Sequence, residues 1–261
     1  MLLSIITINY NDKEGLNRTI DSVTSQTSRN FEWIIIDGGS KDGSKELIER
    51  TAQNPSSNIA FWCSENDKGI YNAMNKGLSH AHGDYCLFLN SGDCLYNENV
   101  LFDLSNELHS SDFIYGNQID SVTGKRKGNF KGEQITLADF FYSSFPHQAT
   151  FIKRELFEKW GGYDENYKIV SDWKFFLEMV VLHNATIKYI DKPIALFDST
   201  GVSSCAEPGS ESRIVMAELF PQRVLDDYAH FISVKEILCN PISRRLYSIL
   251  YRLSVIMNKL L

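Results

Sequence analysis

The first ninety residues repeat one phrase. A short apolar run rich in β-branched residues ends in a polar cluster, and a stretch with helical spacing follows. Leu2–Ile8, Phe31–Ile36, Ile59–Cys63 and Tyr85–Leu89 read as buried strands. Between them, Leu16, Ile20 and Val23 recur at helical spacing, and residues 43–52 and 70–81 read as helices. Strands alternating with helices at this pitch make βαβ units and a mostly parallel sheet flanked by helices, a Rossmann-like α/β fold. Ligands of such sheets bind at the carboxyl ends of the strands. All four polar clusters lie there: residues 7–11, 37–42, 65–68 and 90–93.

The second half is less regular. Residues 113–115, 149–152 and 186–190 read as strands, 117–130 as a polar hairpin or loop, and 154–160 as a helix ended by Gly161-Gly162. Residues 173–182 read as a helix with Ser171 or Asp172 near its start, 199–212 as a Gly- and Ser-rich loop, and the remainder as helix broken at Asn240-Pro241. The expected organisation is one domain over 1–212 and a C-terminal helical segment over 213–261, a reasonable partition of 261 residues.

Charge narrows the function. The chain carries a net −7, which disfavours bulk nucleic-acid binding. Residues 234–261 hold Lys235, Arg244, Arg245, Arg252 and Lys259 against Glu236, so the tail is +4 and the remainder −11. From residue 237 on, apolar residues recur at helical spacing among these basic ones. Two readings stand: a helix lying on an anionic membrane surface, or one packed on the domain or on a second subunit of a homodimer. Five irregularly spaced cysteines without a C-x-x-C suit a reducing cytosol. The opening MLLSIITINYND reads as a strand rather than a signal peptide. No apolar run reaches the roughly 18 residues of a membrane span.

Three acids are candidates for chemistry. Asp37, between three isoleucines and two glycines, can accept hydrogen bonds from a ribose or a base edge, or can simply cap the next turn. Asp93, in Asn90-Ser91-Gly92-Asp93, is placed to hold Mn²⁺ or Mg²⁺ on a diphosphate, where one or two protein carboxylates suffice. Asp172, beside Trp173, suits a general base that deprotonates an acceptor hydroxyl, or a helix N-cap. A G-x-G-x-x-G after the first strand and a Walker A loop are both missing, which argues against a dinucleotide dehydrogenase and a P-loop kinase.

Over about residues 2–204 these segments resemble family 2 glycosyltransferases of the GT-A fold. The likeness rests on SIITINYND, WIIIDGGSKDGS, ENDKGIYNAMNKGLSHAHGDYCLFLNSGD and HQATFIKRELFEKWGGYDENYKIVSDWKFF, in that order. The forms DKGIYNAMNKG and LNSGD look most like bacterial enzymes that build exopolysaccharide, colanic-acid-type or O-antigen chains. The resemblance implies an inverting, metal-dependent transfer of a hexose or N-acetylhexosamine, UDP-linked, to a saccharide or lipid-linked acceptor. It implies a cytoplasmic location, at the inner membrane face if the tail binds lipid. It implies nucleotide-sugar contacts at Thr7, Ile8, Asn9, Asp37, Asp67, Lys68 and Asn90, a metal at Asp93 and a base at Asp172. His147, Gln148 and Trp173 fall on its acceptor side, with Tyr163 and Asp164 near them, and residues 201–204 on its closing loop. The chain departs from the family where acids are usual: Asn90, Gly92 and Ser171 stand there instead.

Two rivals remain. A nucleotidyltransferase would need a glycine- and Lys/Arg-rich loop after the first strand, and residues 7–13 have no glycine and one lysine. A non-catalytic nucleotide- or sugar-binding module on a decayed GT-A fold is kept open by the three missing acids.

Overall fold

A computed structural model describes residues 3–109, 111–128, 130, 132–198 and 209–239. The chain divides into two compact units, residues 1–211 and 212–261. The first opens with β1 (Leu3–Asn9), α1 (Lys13–Thr24), β2 (Phe31–Asp37), α2 (Ser44–Ala52), β3 (Ile59–Ser64), α3 (Ile70–Ser79) and β4 (Tyr85–Phe88). It continues through β5 (Cys94–Leu95), α4 (Val100–Leu104), β6 (Phe113–Asp120), β7 (Arg126–Lys127) and α5 (Leu137–Phe140). It closes with β8 (Thr150–Lys153), α6 (Arg154–Trp160), α7 (Ser171–Leu177) and β9 (Ile187–Phe197).

Among the described residues one sheet runs in the order β3-β2-β1-β4-β8-β6-β9-β5, with β7 paired to β6. The first four strands pair in parallel, β3 with β2, β2 with β1 and β1 with β4. β8 runs antiparallel between β4 and β6, and β6 and β9 are parallel. All seven residues of β1 are buried, as expected of a strand with parallel neighbours on both sides and helices on both faces. Trp33 on β2 is fully buried and donates its indole N–H to Thr7 Oγ1 at 3.0 Å, so neither polar atom is stranded in the core. Leu16, Ile20 and Val23 of α1 are buried, each burial contributing about 1.5–3 kcal/mol. The Asp12 side chain caps that helix by accepting from Gly15 N–H at 2.9 Å. α3 lies so close to the sheet that a Cβ on Gly77 would stand 2.4 Å from Ile6 Cγ2.

The elements of the second half differ from expectation in several places, and β6 runs to Asp120 rather than ending at Tyr115. β9 runs eleven residues, through Asp191-Lys192-Pro193, where charge and proline interrupt the apolar pattern. The helix expected to reach Leu182 ends as α7 at Leu177 and continues as a π turn, Glu178–Leu182. The loop expected to reach residue 212 does not, because a helix spans Gly209–Leu219. The Gly201–Ser204 segment, the Asn240-Pro241 break and the tail from residue 240 lie outside the described residues.

The second unit contributes the helix Gln222–Cys239. Among the described residues no helix is long and apolar enough to cross a membrane.

Candidate active site

The carboxyl ends of β4, β1, β2 and β3 are tied by one chain of hydrogen bonds. Ser91 Oγ donates to Asn9 Oδ1 at 2.7 Å, and Asn9 Nδ2 donates to Asp37 Oδ1 at 2.7 Å. Asp37, wholly buried, also takes Ser40 Oγ at 2.5 Å on Oδ1, and Ser40 N–H at 3.0 Å and Ser64 Oγ at 2.6 Å on Oδ2. A carboxylate has about four acceptor positions, and protein donors fill all of them here. Asn9 and Asp37 therefore act as a clamp that aligns the four loops. The Thr7 side chain faces inward to Trp33, and Ile8 is in the core.

Above this floor opens a cleft of about 510 Å³ lined by Tyr10, Gly38, Asn66, Asp67 and Gly69. Gly38 lies at the cleft floor, where a Cβ would stand 2.6 Å from Asp67 Oδ2 and 3.1 Å from Tyr10 Cδ2 and displace the Asp67 carboxylate. The Tyr10 ring is 68% exposed at its mouth, a surface suited to stacking. Asp67 Oδ1 accepts from Gly69 N–H at 2.9 Å, and Lys68 is exposed, its backbone N–H bonded to Asn72 Oδ1 at 3.1 Å.

The loop after β4 carries the oxygen donors. Asp93 is 5% exposed and accepts from Asp198 N–H through Oδ1 at 3.0 Å. Burial pushes its pKa up to about 7, against the opposing charge of His147. Gly92, at φ +94°, has no side chain, and a Cβ there would stand 3.0 Å from Asp198 Oδ2. A carboxylate from the end of β9 thus fills the space where an acid of the loop was expected. Arg18 Nη2 pairs with that carboxylate at 2.6 Å. Asn90 Oδ1 is buried without a partner. Among the described residues no group of three or more His, Cys, Asp or Glu forms a metal cage. A buried carboxylate and an orphaned amide oxygen on one loop still fit a hard cation that takes its other ligands from phosphate and water.

The third cluster surrounds Asp172, in the first turn of α7. Asp172 is the second residue of that helix, and the N-cap position is Val170, whose side chain makes no cap hydrogen bond. One carboxylate oxygen, Oδ1, takes the Tyr71 hydroxyl at 2.8 Å, and the other, Oδ2, faces His147 Nδ1 at 3.4 Å. Burial alone would raise the pKa of Asp172. The hydrogen bond and charge of His147 outweigh it, with help from Tyr71 and the Trp173 N–H, and hold the group below the ordinary carboxylate range. His147 shows the mirror image: burial would lower its pKa, and Asp172, then Asp93, raise it. On its other side His147 Nε2 lies 3.3 Å from Asn90 Nδ2. With a neutral ring the amide donates to Nε2. A protonated ring requires the amide to turn over, which would give Oδ1 a donor. His147 and Asn90 thereby link the base candidate to the loop that bears Asp93.

The other acceptor-side residues are packed or bonded within the protein, and among them the buried Tyr163 hydroxyl has no hydrogen-bond partner. Gln148 is buried and donates to Gln118 Oε1 at 2.6 Å. Trp173 donates its indole N–H to Phe140 O at 3.0 Å, tying α5 to α7. Tyr163 packs among Phe88, Phe157 and Phe175, and Asp164 pairs with Lys174 at 2.7 Å. Sequence reasoning passed over Tyr71, Tyr10, Asn66, Asp198 and the serines of the floor. Tyr10, Asn66, Ser40 and Ser91 lay inside the polar clusters at the strand ends without a role of their own, and Tyr71 left a signal as a hydroxyl-bearing residue on the apolar face of α3.

Comparisons with known proteins give the family and the fold. The sequence model described as Glycosyl transferase family 2 matches residues 4–166. An uncharacterized glycosyltransferase of Mycobacterium tuberculosis is 35% identical over 216 residues, covering 80% of this chain and 79% of that protein. A PGL/p-HBAD biosynthesis glycosyltransferase of Mycobacterium bovis is 30% identical over 204 residues, covering 77% and 78%. The crystal structure of S. aureus TarS 1-349 in complex with UDP superposes with TM-score 0.66 at 21% identity, covering 83% of this chain and 63% of that one. This chain thus spans under two thirds of TarS 1-349. The mannosyltransferase PcManGT of Pyrobaculum calidifontis, in complex with GDP-Man and Mn²⁺, superposes with TM-score 0.57 at 16% identity, covering 75% and 56%. The sheet order and flanking helices are those of the GT-A fold.

Proposed function

The chain belongs to glycosyltransferase family 2, and from that premise we propose that it moves a UDP-linked hexose or N-acetylhexosamine onto a hydroxyl of a saccharide or lipid-linked saccharide, with inversion. The observation that carries this reading is the Asp172 carboxylate, held ionised by His147 and Tyr71 and linked through His147 and Asn90 to the loop of Asp93. The acceptor hydroxyl attacks the anomeric carbon, its proton passes to Asp172, and the sugar–diphosphate bond breaks with its electron pair leaving on UDP. One displacement from the opposite face inverts the anomeric centre. The nucleotide occupies the cleft of Tyr10, Gly38, Asn66 and Asp67, with Lys68 at its edge and the diphosphate reaching toward Asn90 and Asp93.

Asp93 would hold Mn²⁺ or Mg²⁺, with phosphate and water as its other ligands, and the cation would offset the charge that builds on the leaving diphosphate. The UDP complex of TarS, and a second TarS 1-349 complex with UDP-GlcNAc, support the uridine donor. The PGL/p-HBAD biosynthesis relative supports a role in glycan biosynthesis, and the proposal includes a cytoplasmic location at the inner membrane face. The basic tail from residue 234 would supply that contact. Equal sedimentation with anionic and neutral liposomes would remove it.

The decisive test is Asp172→Asn. It keeps UDP binding within about twofold and loses transfer by 10²-fold or more, in the range of general-base catalysis. Undiminished turnover would take Asp172 out of the mechanism.

A further inference from the structure

The Tyr71 hydroxyl stands between two acceptors. It lies 2.8 Å from Asp172 Oδ1 and 2.6 Å from Ile169 O. A phenol carries one proton, so it can donate to one of them at a time. Its ring is 5% exposed, sits in the first turn of α3 and packs against Tyr163 with ring centres 5.6 Å apart, so the hydroxyl is held where it is. Burial and the neighbouring carboxylate drive the phenol's own pKa far up, and it stays neutral throughout.

We propose that Tyr71 is a positioning residue for the catalytic base, its one hydroxyl proton switching between the Asp172 carboxylate and the Ile169 carbonyl as Asp172 changes protonation state. The proposal rests on the reading of Asp172 as base. With Asp172 ionised, the charge-assisted bond to Oδ1 is the stronger one and holds the carboxylate in place for the acceptor. Once Asp172 has taken the acceptor's proton, its pull on the phenol falls and the Ile169 carbonyl receives the bond. Tyr71 neither gains nor loses a proton. The O–H turns about the C–O bond, and both end states have a donor with an acceptor without backbone movement. Ile169 and Asp172 belong to one stretch of chain leading into α7, so the same ring fixes both acceptors against α3. Among the described residues the other ionisable groups facing Tyr71, Asp172 and Ile169 include His147, before β8, Tyr163, after α6, and Glu211, whose carboxylate accepts from Ile169 N–H at 3.0 Å.

The test needs no substrate. In full-length protein carrying ¹³C-labelled aspartate and isoleucine, the Asp172 carboxyl is assigned by its loss in Asp172→Asn and titrated from about pH 2 to 9. In the wild type the Ile169 carbonyl resonance should move with the same midpoint as Asp172. In Tyr71→Phe, which keeps the ring and its packing, the Ile169 response should vanish and the Asp172 midpoint should rise by roughly tenfold in proton affinity. A ring-fluorinated tyrosine at position 71, a stronger donor, should move the midpoint down. A flat Ile169 carbonyl in the wild type, or an unchanged Asp172 midpoint in the folded Tyr71→Phe protein, overturns the proposal. Turnover by Asp172→Asn would instead sink the underlying assignment of the base, whatever Tyr71→Phe shows.

Discussion

His147 has two neighbours, and each sets a different property of the site. Its contact to Asp172 lowers the pKa of the base, and its contact to Asn90 orients the amide of the metal loop. His147→Gln removes the charge and keeps a hydrogen-bonding side chain. The pKa of Asp172 then rises, because the largest opposition to burial is gone. The acidic limb of the transfer rate should move to higher pH, read from a pH–rate profile; an unmoved limb would mean that the pair is not coupled in solution. The pair also has a stability window. His147, raised, contributes below its unfolded pKa and loses that contribution as pH rises through its folded value. Asp172, lowered, contributes above its unfolded pKa and loses it as pH falls through its folded value. At this scale sequence is half legible. Asp93 and Asp172 can be picked out because acids at strand and helix ends carry chemistry. That Asn9 and Asp37 spend their polar atoms on each other, and Trp173 its indole N–H on Phe140, cannot, since the partners are 28 and 33 residues away.

α3 is the element that joins the two halves of the site. Its first turn carries Tyr71 to Asp172, and Gly77, two turns on, lets the helix rest on Ile6 of β1. Gly77→Ala would place a methyl 2.4 Å from Ile6 Cγ2 and push the helix off the sheet. The gain in helix propensity, about 0.5–1 kcal/mol, is smaller than an overpacking cost of about 1–3 kcal/mol. We expect a lower midpoint in chemical denaturation together with reduced transfer, because Tyr71 moves with the helix; equal or greater stability would show that α3 has room to spare. The βαβ half was legible because buried parallel strands are continuous apolar runs with helical spacing between them. The second half hid the continuation of β9 beyond Ile190 and the two-residue strand β5, because half-exposed strands lose the apolar run and short ones have no period to detect.

For the molecule as a whole, Asp93 sets function against stability. An aspartate titrates near 4 in an unfolded chain and Asp93 near 7 in the folded one. Between those values the folded state holds a proton that the unfolded state has released. The metal-free protein should therefore lose stability as pH rises through that window. Asp93→Asn removes the loss, so its melting temperature without metal should exceed the wild type's at pH 7.5 and approach it at pH 4.5; a lower melting temperature at pH 7.5 would show that the buried charge is compensated. The central claim is that the strand ends form a donor site in which Asp93 holds a metal on the diphosphate and Asp172 acts only on the acceptor. Calorimetric titration with UDP, with and without Mn²⁺, on wild type, Asp93→Ala and Asp172→Asn tests it most directly. The account predicts Mn²⁺-dependent binding to the wild type, unchanged in Asp172→Asn and weakened tenfold or more in Asp93→Ala. Binding that ignores both the metal and the Asp93 substitution, or no binding of UDP by any of the three, would contradict it.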